Sequence, residues 1–105
     1  MSDTSKFLVF SNPVAGREDE YNTWYDNQHL ADVCAIPGVS GAKRYDLVQL
    51  DPSAPALHKY LAVYELAGDP GAVFAELGAR AGTERMPMSE ALDLSTIGMS
   101  IWKPR

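Results

Sequence analysis

Proline and glycine divide this sequence into short segments whose patterns alternate between those of strands and those of helices. Four segments have the alternation or the β-branched and aromatic composition of strands. They cover residues 6–11, 39–50, 58–66 and 96–103. The two prolines at 52 and 55 separate the second strand from the third, because Pro-rich stretches form turns rather than regular elements.

Helix signals occupy the two gaps between these strands. The acids at 18–20 predict a helix start, and a second helical stretch at 30–35 continues that helix until Pro37-Gly38. Asp69-Pro70 predicts a capped helix that ends at Gly82. The order β-α-β-β-α-β is that of the ferredoxin-like α+β fold, an antiparallel four-stranded sheet with two helices on one face. Residues 83–94 are either a lid over a pocket or a long connection.

Composition limits the class of protein. A chain of 105 residues is expected to form a single domain, 1–105. Its formal net charge of -5 disfavours nucleic acid and anionic membranes as partners, since such partners require a basic surface. The single Cys34, the polar start at 1–6 and the lack of an apolar run of about 18 residues predict a soluble, cytoplasmic protein.

The last strand has large apolar side chains on both sides. Ile97, Met99 and Ile101 alternate on one side, and Trp102 lies on the other. Two helices cover only one face of a sheet, so the second face needs another partner. We therefore predict a homodimer in which two copies pack sheet against sheet.

The densest cluster of chemically useful side chains lies on the first helix. Helical spacing places five residues on one face of it: Tyr21, Trp24, Tyr25, Gln28 and His29. An imidazole titrates near neutrality, so His29 is a candidate for moving a proton to and from an organic substrate. The alternative is a core histidine that is hydrogen-bonded to a backbone carbonyl.

Tyrosines of the second and third strands are further candidates. The phenol of Tyr45 could donate a hydrogen bond to a developing enolate, and the alternative is an aromatic ring packed on the sheet. Tyr60 and Tyr64 share one face of the third strand with His58 and could line the same cavity. Their alternative role is interface packing.

Other kinds of site lack a signal. The two histidines and one cysteine are not spaced as metal ligands, so no metal is expected, and Cys34 is interpreted as a small buried residue. Neither a G-x-G-x-x-G nor a G-x-x-x-x-G-K motif is present, and no cofactor is expected.

Three motifs resemble the EthD-like group of the dimeric α+β barrel superfamily: W-Y-D-N-x-H-L at 24–30, I-P-G-V at 36–39 and Arg44-Tyr45. The resemblance implies two ferredoxin-like units packed sheet against sheet, with a pocket between sheet and helices in each. Members of the superfamily include cofactor-free monooxygenases, muconolactone isomerases and polyketide cyclases. His29 matches the motif histidine, and Tyr45 matches a tyrosine of the isomerase-like relatives. The extra pocket histidines of the cyclases are missing here, which disfavours their mechanism.

These observations lead to one main hypothesis and three alternatives. The main one is a cofactor-independent isomerase, lyase or cyclase that acts on a small hydrophobic oxygenated substrate, such as an aromatic catabolite, a lactone or a polyketide intermediate. His29 and Tyr45 would be catalytic, and the substrate would contact Trp24, Tyr25, Gln28 and Tyr60. The alternatives are a non-catalytic dimeric binding protein for a hydrophobic metabolite, a cofactor-free monooxygenase, and an interaction module with a filled core.

Overall fold

The computed structural model describes residues 4–105 and confirms the ferredoxin-like α+β fold. Residues 1–3, which belong to the predicted domain and to its polar start, lie outside the described residues. Four antiparallel strands form one sheet in the order β2-β3-β1-β4. They are β1 (Ser5–Ser11), β2 (Val39–Asp46), β3 (Tyr60–Leu66) and β4 (Gly98–Trp102).

The strands β2 and β3 are shorter than predicted. A last backbone hydrogen bond joins Leu47 N to Lys59 O at 2.9 Å, and the chain then leaves the sheet. The Gln49 amide donates to the carbonyls of Asp51 and Ala54, and Asp51 accepts from the backbone and side chain of the residue at 53. These local bonds stabilise a loop where the alternation alone predicts more strand.

The first helical region is continuous but changes its winding halfway. It consists of α1 (Glu18–Trp24), a π-helical turn (Tyr25–His29) and α2 (Leu30–Cys34). The other helix, α3 (Pro70–Arg80), begins as predicted, because the side chain of Asp69 accepts a hydrogen bond from Ala72 N at 3.0 Å. None of the helices within residues 4–105 is long and apolar enough to cross a membrane.

The helices cover one face of the sheet, and the hydrophobic core lies between the sheet and the helices. Phe7 and Tyr64 face the helices from the two central strands and contact each other, with ring centroids 5.8 Å apart. Val33 of α2 and Val73 of α3 are buried above them. Since side chains alternate along a strand, the residues next to Phe7 and Tyr64 lie on the opposite, helix-free face.

Residues 83–94 pack against the loop that joins β1 to α1. Val14 N donates to Ala91 O at 2.6 Å, and Asp93 N donates to Asn12 O at 3.0 Å. Met86 is fully buried, and Leu92 is nearly so. The segment therefore forms one wall of the molecule, between α3 and the end of β1.

Candidate active site

An apolar cavity of about 210 Å³ lies between the sheet and the helices. Its wall combines the helix-facing side of β1 and β3, one side of α3 and the segment 83–94. Phe74, Met88 and Met99 also line it, and each of these is at least one-third exposed. The cavity therefore opens to solvent between α3 and the edge strand β4.

The π-helical turn places His29 in the wall of this cavity. The imidazole is 8% exposed, and its Nδ1 atom has no hydrogen-bond partner among residues 4–105. The indole of Trp24 stacks on one face of the ring at 4.5 Å, and Tyr25 meets it edge-on at 5.0 Å. Burial lowers the pKa of His29 from 6.5 to about 4. The ring is therefore neutral at pH 7.

Two tyrosines share the cavity wall with His29. Burial raises the pKa of Tyr25 to about 12 and raises that of Tyr64 further still, so both phenols stay protonated at neutral pH. The Tyr64 hydroxyl is buried and has no hydrogen-bond partner within the described chain. The hydroxyls of Tyr25 and Tyr64 are neighbours, yet no hydrogen bond of ordinary geometry joins them.

Trp24 and Gln28 face away from the cavity. The indole Nε1 of Trp24 donates to Pro87 O at 3.1 Å, which ties the first helical region to the segment 83–94. Gln28 is exposed and borders, together with Trp24, a shallow surface groove. A π turn rotates each residue through a smaller angle than an α turn, so Gln28 leaves the face that α-helical spacing predicts.

Tyr60 lies on the predicted side of the sheet but does not line the cavity. Its hydroxyl donates to the carboxylate of Glu18 and accepts from Asn22 Nδ2 at 3.3 Å. Its ring packs 5.3 Å from that of Tyr21. These contacts hold the start of α1 on the sheet, so the structure gives Tyr60 a packing environment rather than a place beside His29.

Tyr45 lies on the opposite face of the sheet from His29. It pairs with Leu61, whereas its neighbour Arg44 pairs with Ala62, whose side chain faces the helices. Tyr45 is 45% exposed on the helix-free face. A sheet separates the two side chains of the predicted acid/base pair, and within one protomer they do not meet on a common ligand.

Arg44 occupies the helix-facing position instead. Its guanidinium lies 4.4 Å from the centre of the Tyr25 ring and donates to Asp26 Oδ1 at 2.8 Å and to Asn22 Oδ1 at 2.9 Å. The paired Asp26 keeps the pKa of Arg44 above its ordinary value despite burial. Arg44 thus supports the ring of Tyr25 from behind the cavity.

Sequence reasoning missed two features of this site. It assigned no role to Arg44, although the alternation of β2 contained the signal, because Arg44 and Tyr45 necessarily face opposite sides. It also overlooked Gly78, a glycine in the middle of α3 that lines the cavity. Within residues 4–105, no three His, Cys, Asp or Glu side chains come together to hold a metal ion, and Cys34 is a half-buried free thiol.

This arrangement is that of a two-layer α+β protein with an apolar cavity beside a buried histidine. The chain shares its ferredoxin-like α+β fold with two solved structures. It is similar to an ethyl tert-butyl ether D (EthD) family protein from Bacillus halodurans, at 12% identity and a TM-score of 0.59, over 97% of this chain and 99% of that one. It is also similar to a proposed monooxygenase from Shewanella loihica, at 13% identity and a TM-score of 0.61, over 100% and 97% of the two chains. No family model matches the sequence, and no curated protein matches it.

Proposed function

We propose that this protein is a cofactor-independent enzyme that moves a proton on a small hydrophobic oxygenated substrate, as an isomerase, a lyase or a cyclase. Aromatic catabolites, lactones and polyketide intermediates are the substrates of the expected kind. His29 is the proton-transferring residue, and the cavity beside it is the substrate site. The observation that carries the proposal is the neutral imidazole in the wall of a largely apolar cavity, with an Nδ1 atom that has no hydrogen-bond partner among residues 4–105.

The state of His29 suits a general base. Within residues 4–105 no group bonds to Nδ1, so this nitrogen lacks the carbonyl contact that a purely structural histidine makes. Its pKa of about 4 leaves the ring unprotonated at neutral pH. The same burial disfavours the protonated imidazolium that a general base must form. A substrate that develops negative charge corrects this, because an enolate next to the ring stabilises the protonated form.

Proton removal next to a carbonyl is therefore the reaction that fits the site best. The enolate oxygen requires a hydrogen-bond donor in a water-poor environment, and the buried phenols of Tyr25 and Tyr64 are neutral donors in the same wall. Trp24 and Tyr25 hold the imidazole between their rings and fix its orientation. Tyr60 packs against the start of α1, and Gln28 is exposed on the surface, so neither is assigned a contact with the substrate.

Hydrogen–deuterium exchange tests this proposal without knowledge of the natural product. The protein is incubated in D2O with single-ring ketones and unsaturated lactones, and NMR follows the loss of the proton next to the carbonyl. The enzyme should accelerate exchange for at least one compound, and His29→Ala should reduce the acceleration by about 10²- to 10⁴-fold. Exchange that is unchanged in His29→Ala would remove this residue from the mechanism.

Other outcomes identify the alternative functions. Tight binding of a compound with no exchange and no chemical change would indicate a binding protein that uses the same cavity. Oxygen consumption with a substrate that forms a stabilised carbanion would indicate a cofactor-free monooxygenase. Tyr45→Phe is the matched control, because this tyrosine lies on the other side of the sheet and its loss should leave exchange unchanged.

The helix-free face of the sheet supports a homodimer as the working form. The protomer is only 21 Å thick along its shortest axis, the thickness of one sheet and one helix layer. The bare face includes apolar side chains on all four strands: Leu8, Phe10, Tyr45, Leu61, Val63 and Trp102. A second copy of the same face would cover them. With a single cysteine and a net charge of -5, a reducing cytoplasm without nucleic-acid partners is the expected setting.

A further inference from the structure

We infer that Tyr64 is the residue that binds the oxygen of the ligand in the cavity, and that the ligand is a single-ring compound with a carbonyl or enol group. The inference rests on the proposed use of this cavity as a substrate site. It assigns the oxygen contact to β3, on the helix-facing side of the sheet, and not to Tyr45.

Tyr64 carries a hydroxyl group whose hydrogen-bonding capacity is unused within the described chain. Tyr64 is fully buried, and its hydroxyl has no hydrogen-bond partner among residues 4–105. Buried polar atoms in folded proteins nearly always have a partner, because an unmet hydrogen bond is costly. His29 lines the same cavity, and its Nδ1 atom is likewise buried with no hydrogen-bond partner among residues 4–105. An oxygen-bearing ligand in the cavity would give both groups their missing partner.

The remaining wall excludes strongly polar ligands. Phe7, Val33, Leu77, Met86 and Ile97 present only hydrocarbon or thioether surface to the cavity. A ligand with several hydroxyl or charged groups would leave most of them without partners in such a site. One polar group among apolar atoms matches the lining, and this group must lie where Tyr64 and His29 reach it.

The size of the cavity limits the carbon skeleton. An apolar protein cavity of about 150 Å³ holds a benzene molecule. The cavity here measures about 210 Å³, which matches one ring with a short substituent. Acetophenone, a single ring with a methyl ketone, represents this class of ligand.

A pair of isosteric probes separates the oxygen contact from the apolar contacts. Acetophenone and α-methylstyrene have the same shape, but only the ketone accepts a hydrogen bond. In Tyr64→Phe the dissociation constant of acetophenone, measured by NMR titration, should rise about 2- to 12-fold, while that of α-methylstyrene stays the same or falls. Tyr45→Phe is the matched control and should change neither constant. Equal effects on both probes, or no effect on acetophenone, would overturn the assignment.

A second measurement does not depend on the stability of the variant. With ¹³C at the ζ carbon of tyrosine, acetophenone should shift the Tyr64 resonance of the unmodified protein and α-methylstyrene should not. Failure of the protein to bind either probe would contradict the single-ring inference.

If Tyr64→Phe weakens ketone binding but no compound undergoes deuterium exchange, the oxygen contact stands and the catalytic proposal fails. If exchange occurs and Tyr64→Phe leaves ketone binding unaltered, the catalytic proposal stands and the oxygen contact fails.

Discussion

The indole of Trp24 lies on the imidazole of His29, with ring centroids 4.5 Å apart and planes 25° apart. The same indole donates its N–H to Pro87 O at 3.1 Å. One side chain therefore holds the histidine ring and also ties the segment 83–94 to the helix that carries this ring. Trp24 is a positioning residue in this arrangement, since it contacts the histidine and does not line the cavity.

Substitution of Trp24 separates these two contacts. Trp24→Phe keeps an aromatic ring next to His29 and leaves Pro87 O without its donor, so the free energy of unfolding should fall by about 1 kcal/mol. Trp24→Ala also removes the ring packing, and a loss of about 2–4 kcal/mol is expected. Urea denaturation measures both values. Thr23→Ala, at an exposed neighbouring position, should change stability by less than about 0.5 kcal/mol. Equal losses in the phenylalanine and alanine variants would show that the stacked ring contributes nothing.

Acid should destabilise the protein through His29. Above pH 6.5 the ring is neutral in both the folded and the unfolded chain, so its titration takes nothing from the free energy of unfolding. As the pH falls from 6.5 to about 4, the unfolded chain takes up a proton that the folded protein does not accept. The free energy of unfolding should therefore fall by about 3 kcal/mol over this range. Below about pH 4 the folded protein also binds the proton, and His29 causes no further loss.

The variant His29→Gln isolates that contribution from the carboxylates that also titrate in acid. Its own loss of stability between pH 7 and pH 4 should be smaller than that of the unmodified protein by about 3 kcal/mol. Denaturant titrations at both pH values supply the four free energies of unfolding. Parallel pH profiles would mean that the imidazole is solvated in the folded protein and that its pKa is not lowered.

Most of the fold follows from local signals in the sequence. The strand β1, the capped start of α3 and the stop at Pro37-Gly38 each depend on residues within a few positions of one another. The order of these elements then leaves few topologies for an antiparallel sheet. Strand ends were predicted less well, because the hydrogen bonds of Gln49 and Asp51 compete with the sheet and alternation does not reveal them.

The candidate site was only partly predictable. His29 and Tyr25 were identified, since aromatic and imidazole side chains on one helix face are visible in the sequence. The pairing of Tyr45 with His29 depends on a strand register that the sequence does not fix, and a shift of one residue moves a side chain to the other face. The π turn at Tyr25–His29, where Gln28 is exposed, has no clear signal in the sequence.

A charge on the bare face of the sheet should separate the proposed dimer. Val63 lies near the centre of this face, between Leu8 of β1 and Lys43 of β2. Val63→Glu should yield a monomer by size-exclusion chromatography with light scattering, because a dimer would bury two additional carboxylates in an apolar interface. Ala79→Glu, at an exposed position of α3, is the matched control and should remain dimeric. A monomeric unmodified protein at micromolar concentration would refute the homodimer.

Gly78 should control the size of ligand that the cavity accepts. It lies inside α3, where glycine is unfavourable, and a Cβ atom added there would meet no atom within 4 Å. Gly78→Ala should therefore raise the free energy of unfolding by about 0.5–1 kcal/mol, which denaturant titration measures.

Because Gly78 lines the cavity, Gly78→Leu should weaken acetophenone binding while the protein stays folded. Ala79→Leu places the same side chain one residue away, outside the lining, and should leave the dissociation constant unchanged. Equal binding by both leucine variants would place the ligand away from this wall of the cavity.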